Sequence, residues 1–176
     1  ANIRTCSCVT GTQSLTATED GGPVALGDIV VTDPDGTAVI TATLTLSHPL
    51  EGSLANDGSI TMTYDADEGV WTGTVGTATL TYNPNTGVGI AKGSVADVNT
   101  VLAAVTYEPN ANSVQDVTIT TLIRDQFNSG PASGTITIDM TPVNDLPTST
   151  NDSVTTREDT PLTLTIADFG HYADAE

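Results

Sequence analysis

The sequence predicts an all-β protein whose main part is an antiparallel Greek-key β-sandwich. Threonine is the commonest residue, and β-branched side chains fit a pleated strand better than a helix. Short runs of alternating apolar and polar residues recur along the chain, and Gly, Asn, Asp and Pro separate them. Long helical patterns do not alternate with these runs, so we expect strands to connect directly to strands, as in β-sandwiches.

The first half of the predicted sandwich consists of strands that turn signals separate. Residues 14–18 alternate polar and apolar side chains, and the next apolar stretch, 24–32, ends at the turn signal Asp33-Pro34-Asp35-Gly36. The strand over 38–47 has threonines on one face, which is typical of a half-buried strand. We expect its apolar residues near the other face to be Val39, Ala42, Leu44 and Leu46.

The second half contains further strands and one helical signal. Two or three short strands are predicted over 60–82, where we expect the only tryptophan, Trp71, to anchor the core. Ser94 is a plausible N-cap with Asp97 three residues later, and apolar residues at helical spacing follow, which predicts a short helix to Leu102. The closing strands are predicted over 102–107, 117–123 and 134–140. This makes about seven to nine strands, as in other sandwiches.

The pattern at the start of the sandwich begins again after its end. Glu19-Asp20 recurs as Glu158-Asp159, and Asp33-Pro34-Asp35 is echoed by Asp174-Ala175-Glu176. A repeat this long indicates a tandem array of whole domains. We therefore predict a leader over 1–13, a complete module over 14–146, and a linker with the incomplete start of a second module over 147–176.

Charge and motifs exclude several classes of function. The formal net charge is −18 with only four basic residues, so nucleic acid and anionic membrane surfaces are not expected partners. No apolar run is long enough to insert directly into a membrane. The two histidines, His48 and His171, belong to no catalytic motif. The sequence therefore predicts a protein that is not an enzyme.

Oxygen-bearing side chains recur near predicted strand ends and in the linker. Ca²⁺ takes about six to eight oxygen ligands from carboxylates, amides and backbone carbonyls in flexible geometry, and an Asp-x-Asp turn can direct two carboxylates to one point. The sequence therefore predicts Ca²⁺ as the cofactor. The candidate ligands are Glu19, Asp20, Asp33, Asp35, Asp125, Asn144, Asp145, Glu158, Asp174 and Glu176. We expect Asp57 and the acidic turn 65–68 to be solvated surface.

The order of these motifs resembles that of the cadherin-like, calcium-binding repeats of large bacterial surface adhesins. The motifs are Glu19-Asp20, Asp33-Pro34-Asp35, the closing run 135–138, the linker 143–147 and the stretch 93–110. The resemblance implies extracellular tandem β-sandwiches that Ca²⁺ stiffens at their junctions, in adhesins exported to a bacterial surface.

The resemblance also implies roles for individual side chains. Glu19 is then the carboxylate of the opening strand and Asp125 a ligand from a late strand or loop. The linker ligands are Asn144 and Asp145, and those of the following domain are Asp174 and Glu176. Asp33 and Asp35 face the preceding domain.

Two hypotheses of function follow. The first is a non-enzymatic, calcium-stiffened structural or adhesive module of an extracellular bacterial surface protein. Its partners are neighbouring modules or copies of the same protein, with a cell-surface or carbohydrate ligand as a further candidate. The alternative is a subunit of a self-assembling extracellular filament or surface layer, joined by strand exchange through residues 148–176. That segment contains two runs with strand character, 153–157 and 162–166.

Two smaller features leave alternatives open. The functional interpretations of Cys6 and Cys8 are a metal site and an interchain disulfide. The alternatives are that they are unpaired residues of a flexible leader, or that they tie this segment to a neighbouring one. Rows of alternate threonines, at 41–45 and 77–81, suit a carbohydrate- or ice-binding face, although strand propensity already explains them.

Overall fold

The computed structural model describes residues 7–9, 12–27, 29–33 and 39–174. Strands make up 46% of the structure and helices 8%, in a large sheet and a smaller one. The predicted fold class, an all-β sandwich, is confirmed. The chain forms two compact units, Ala1–Pro142 and Val143–Glu176, and each is described by itself.

The first unit contains thirteen strands among its described residues and one α-helix, and the helix, α1, spans Val95–Ala104. The strands are β1 (Ser7–Val9), β2 (Gln13–Thr18), β3 (Val24–Ala25), β4 (Val30–Thr32), β5 (Val39–Leu46), β6 (Gly52–Asn56), β7 (Met62–Asp65), β8 (Val70–Val75), β9 (Ala78–Asn83), β10 (Val88–Ser94), β11 (Val105–Pro109), β12 (Val117–Arg124) and β13 (Gly134–Thr141).

These strands form a large sheet, a smaller sheet and a separate pair. The large sheet has eight strands in the order β2-β13-β12-β5-β10-β9-β8-β7, the smaller one has the order β3-β11-β6, and β1 pairs with β4. Every pair is antiparallel except β2 with β13, which run parallel with Thr18 opposite Thr141. The expectation of a wholly antiparallel sandwich is therefore wrong at this pair, because the opening strand joins the edge of the sheet beside the closing strand.

Alternate residues of the strands fill the core between the sheets. In β5, Ile40, Ala42, Leu44 and Leu46 are at most 4% exposed, whereas Val39 is 39% exposed. The assignment of Val39 to the buried face is wrong, because side chains alternate with a period of two and Val39 therefore lies with the threonines. Each fully buried leucine or isoleucine among them contributes about 1.5–3 kcal/mol.

The predicted helix is confirmed together with its cap. The Asp97 backbone N–H donates to Ser94 Oγ over 3.2 Å, which satisfies one of the free donors of the first turn. The helix continues past the predicted end, Leu102, to Ala104. Its buried residues are Val98, Val101, Leu102 and Ala104.

Three strands of the first unit, β1, β6 and β10, have no counterpart in the sequence prediction. The last two contain glycine, which usually weakens a strand. Here a Cβ at Gly93 would collide with Ala78 Cα, and one at Gly52 would lie 2.6 Å from the Glu108 carbonyl oxygen. The glycines therefore permit close approach of neighbouring strands. With them, the described part of 14–146 contains twelve strands, β2 to β13, and the estimate of seven to nine is wrong.

The core position predicted for Trp71 is also wrong. Its side chain is 40% exposed. Trp71 lies on β8, opposite Tyr82 of β9 on one side and opposite Tyr64 of β7 on the other. Strand β7 is the last strand of the large sheet. A residue this close to a sheet edge has fewer neighbours to cover it.

The second unit has little regular structure among its described residues. Its two short strands, β14 (Thr148–Ser149) and β15 (Tyr172–Ala173), form an antiparallel pair, and Ile166–Asp168 is a 3-10 helix. The runs 153–157 and 162–166 are not strands, so that prediction is wrong for this structure. The alternating pattern of 162–166 suits a strand, but a strand requires a paired neighbour to satisfy its backbone.

Candidate metal centre

The repeated Glu-Asp pair forms the same turn in both copies. The Gly21 backbone N–H donates to the Thr18 carbonyl over 2.8 Å, and Thr160 N–H donates to the Arg157 carbonyl over 3.3 Å. Asp20 has φ 56° and Asp159 has φ 60°, a left-handed conformation that Asp tolerates better than most residues. The repeat in the sequence is therefore also a repeat of backbone conformation.

Glu19 lies where the opening strand meets the closing strand. Its backbone N–H donates to the Thr141 carbonyl over 2.9 Å, which extends the parallel pairing of β2 and β13 by one residue. We call this end of the sandwich, where β13 ends at Thr141, the exit end. The Glu19 side chain is only 3% exposed. Carboxylates are almost never buried to this degree unless they are paired or bind a cation.

Other carboxylates at the exit end hold loops in place. Asp20 Oδ1 accepts a hydrogen bond of 3.1 Å from the Asn112 backbone N–H. Asp116 Oδ1 accepts one of 2.8 Å from the Met140 backbone N–H, and Glu51 Oε2 accepts one of 2.9 Å from a serine hydroxyl. Sequence reasoning missed Asp116 and Glu51, because neither belongs to a Glu-Asp pair, to an Asp-x-Asp turn or to the motifs of the resemblance. The position of Asp116 directly before a strand was the available signal.

Asp125 and Asp33 lie at the opposite end, which we call the far end. Asp125 follows β12, which runs antiparallel to β13, and its Oδ1 accepts 2.8 Å hydrogen bonds from the backbone N–H groups of Phe127 and Ser129. Asp33 follows β4 and precedes β5. Near its start, β5 pairs with the end of β12, where Thr41 lies opposite Arg124. The fold therefore separates these two candidates from Glu19 by the length of the sheet.

The remaining candidates belong to the second unit or lie outside the described residues. Asn144 Nδ2 donates to the Asp145 carbonyl over 2.6 Å, and the Asp145 side chain is partly buried. Glu158 and Asp174 are exposed. The predictions for Asp35, Glu176 and Cys6 fall on residues that the structure does not describe, as does the prediction for the side chain of Cys8.

Several carboxylates that were not proposed as ligands stabilise local structure instead. Asp97 Oδ2 accepts from Thr77 Oγ1 over 2.6 Å, from the Thr77 backbone N–H over 2.8 Å and from Ser94 Oγ over 2.8 Å. The Thr77 hydroxyl makes the largest contribution in holding the pKa of Asp97 below its ordinary value. Asp57 is exposed and closes a turn by accepting from the Ser59 N–H over 2.9 Å. Hydrogen bonding by the Ser59 side chain, and to a smaller extent by its backbone N–H, lowers the pKa of Asp57.

Within the described ranges, no group of three or more His, Cys, Asp or Glu side chains could hold a metal ion. The predicted ligands are instead distributed over the exit end, the far end and the second unit. No helix in the part of the chain that the structure describes has the length and apolar character needed to cross a membrane.

The comparisons with known proteins do not assign a family. No protein-family model matches the chain, and no curated protein matches it. The resemblance to cadherin-like repeats therefore stays a prediction from the motifs.

Proposed function

We propose that this chain is a non-enzymatic, calcium-stiffened structural or adhesive module of an extracellular bacterial surface protein, arranged in tandem with further copies of itself. Ca²⁺ binds to carboxylates at the ends of the sandwich and in the linker. Its role is to neutralise charge and to stiffen the array. A cell-surface or carbohydrate ligand is a candidate for the adhesive contact.

The observation that carries this proposal is the Glu-Asp turn of Glu19-Asp20, which occurs twice in a strongly anionic chain. The formal charge is −18 with four basic residues, so many carboxylates repel one another. A cation with a preference for oxygen ligands would reduce this repulsion. The recurrence of the turn at Glu158-Asp159 supports the tandem arrangement.

Charge repulsion gives calcium a large effect on stability in this proposal. Carboxylates at this density repel one another and destabilise the compact state. A ligand that binds only the folded state at about 100 times its Kd stabilises it by about 2.7 kcal/mol. For a domain of this size, that raises Tm by about 5–10 °C.

The test compares thermal unfolding in excess Ca²⁺ with unfolding in excess chelator, with Mg²⁺ as a control for general screening. We expect Ca²⁺ to raise Tm and Glu19→Gln to reduce this increase. Glu68→Gln is the matched control, because it removes the same charge from an exposed turn. The quantity compared is the Tm difference between Ca²⁺ and chelator within each variant, so a general loss of stability cancels.

Asp145→Ala is likewise expected to weaken Ca²⁺ binding more than Asp57→Ala. Identical melting of the wild type in Ca²⁺ and in chelator would refute the proposal.

A second candidate function is a subunit of an extracellular filament or surface layer that exchanges strands through residues 148–176. The supporting observation is the exposure of Leu162, Leu164, Ile166 and Phe169, which are 47–92% exposed. Three of these apolar side chains alternate with threonines, so a partner strand would bury them on one face. Strand addition would also satisfy the backbone of this segment.

A further inference from the structure

The large sheet of the first unit extends beyond the smaller sheet that covers it. The smaller sheet ends at the edge strand β6, whereas the large one continues through β9 and β8 to β7. A cavity of about 450 Å³ opens between the two sheets at this place. Native cores contain few voids larger than a water molecule, whereas binding pockets measure about 300–1,000 Å³.

The wall of the cavity is mainly aliphatic. The side chains that supply it include Leu44, Leu54, Ile60, Met62, Leu80 and Leu102. Leu54 extends from β6 towards the large sheet, where a Cβ built at Gly89 would lie 3.3 Å from Leu54 Cδ1. The absence of a side chain at Gly89 therefore leaves room at the floor of the cavity.

Trp71 lines the cavity at its rim, and the ring of Tyr64 packs against Trp71. A row of facing residues crosses the large sheet in the order Tyr64, Trp71, Tyr82, Gly89 and Leu44. The rings of Tyr64 and Trp71 are 5.2 Å apart between centroids, with their planes inclined by 51°. They are 47% and 40% exposed, while Tyr82 and Leu44 are buried. The row therefore leads from a half-exposed aromatic pair into the aliphatic interior.

Two polar side chains at the cavity, those of Tyr82 and Asn56, are engaged by neighbouring backbone groups of the same sandwich. The Leu54 backbone N–H, on the edge strand β6, donates to Tyr82 Oη over 3.2 Å. Asn56 Oδ1 accepts from the backbone N–H groups of Gly58 and Ile60 over 2.9 and 3.3 Å. An added peptide strand would have to displace the Tyr82 hydroxyl from β6. This favours a small molecule over a peptide as the occupant.

The charge near the rim selects among small molecules. Glu108 lines the cavity itself, and the exposed carboxylates Asp65, Asp67 and Glu68 lie at the end of β7 and in the turn that follows it. These carboxylates repel an anionic head group such as that of a fatty acid. They have no such effect on an uncharged molecule.

We propose that this cavity is a binding site for an uncharged, hydrophobic small molecule with an aliphatic chain or aromatic ring. Its volume equals that of about 15 water molecules at about 30 Å³ each. The aliphatic wall takes the hydrophobic body of the ligand, and Trp71 contacts it at the rim. This site is distinct from the carboxylates proposed to bind calcium.

The test uses N-phenyl-1-naphthylamine, an uncharged fluorescent probe, with the full chain. We expect saturable binding of one probe per chain, with brighter probe emission and quenching of Trp71, the only tryptophan. Dodecanol should displace the probe, and dodecanoate should do so at least tenfold more weakly. Equal displacement by the two competitors would overturn the selectivity for uncharged ligands.

Two variants test the location of the site. Ala91 lines the cavity and is 4% exposed, so Ala91→Leu should fill the space and weaken probe binding at least tenfold. Ala111→Leu is the matched control, because it adds the same atoms at an exposed loop position, and it should bind like the wild type.

Methyl NMR spectra of the wild type provide a second measurement that requires no variant to fold. The Met62 and Ile60 methyl signals should shift with probe concentration along the same binding curve. Unsaturable binding, unchanged binding by Ala91→Leu, or unshifted Met62 and Ile60 signals would each overturn the proposal.

Discussion

Replacing Tyr82 by phenylalanine removes the hydroxyl that holds the edge strand β6 beside the cavity. Tyr82 Oη accepts the hydrogen bond of the Leu54 backbone N–H over 3.2 Å, and the Tyr82 side chain is 7% exposed. The phenylalanine ring retains almost all of the apolar contact area. The variant therefore isolates the hydrogen bond from the packing.

The expected loss of stability follows from the buried donor that remains. A typical hydrogen bond contributes about 0.5–1.5 kcal/mol net, whereas leaving a buried N–H unsatisfied costs about 1–3 kcal/mol. Since Leu54 is 9% exposed, we expect the larger cost, about 1–3 kcal/mol. Each kcal/mol lowers Tm by about 2–4 °C for a chain of this size.

Urea denaturation of the wild type and Tyr82→Phe measures this difference, and Tyr64→Phe is the control. The Tyr64 side chain is 47% exposed, so water can replace its hydroxyl and the variant should remain within about 0.5 kcal/mol of the wild type. Hydrogen exchange at the Leu54 amide should accelerate only in Tyr82→Phe. Equal stability of the two variants, together with unchanged exchange at Leu54, would refute this reasoning.

Two further predictions concern pH and assembly. The folded pKa of Asp97 lies below its ordinary value of 3.8, so its charge stabilises the fold above that pH and the stabilisation is lost as pH falls through the lowered pKa. Asp97→Asn should therefore be less stable than the wild type in urea at pH 7, and this difference should become smaller as pH falls from 7 to 2; a difference in stability that does not change with pH would contradict the assignment. If strands are exchanged, hydrogen exchange of residues 153–166 should slow as protein concentration rises, whereas fast exchange at every concentration would exclude this assembly.

Local patterns were sufficient to predict most of the strands and the helix. The alternation of threonine with apolar residues in β5 and β13 defines two faces, because successive side chains of a strand point to opposite sides. Ser94 and Asp97 predicted the start of α1, because capping depends on groups only three residues apart. Likewise, the repeat of Glu19-Asp20 at Glu158-Asp159 predicted two equivalent turns.

Which of the candidate ligands lie near one another depends on which strand ends the fold brings together. Spacing along the chain could indicate oxygen ligands, but Asp125 and Glu19 lie at opposite ends because β12 runs antiparallel to β13 while β2 runs parallel to it. The parallel pairing that places Glu19 beside Thr141 is likewise specified by no local pattern.

The cavity and its rim were equally inaccessible from local patterns. A single tryptophan in a β-rich chain is expected in the core, yet Trp71 is half-exposed because the smaller sheet ends at β6 and leaves β8 uncovered. The strands β6 and β10 contain glycines that locally disfavour strands, and close contacts with Glu108 and Ala78 explain them only in the folded chain. Strand character and side-chain alternation are properties of neighbouring residues, whereas sheet order and coverage depend on contacts between distant segments, so only the tertiary structure determines them.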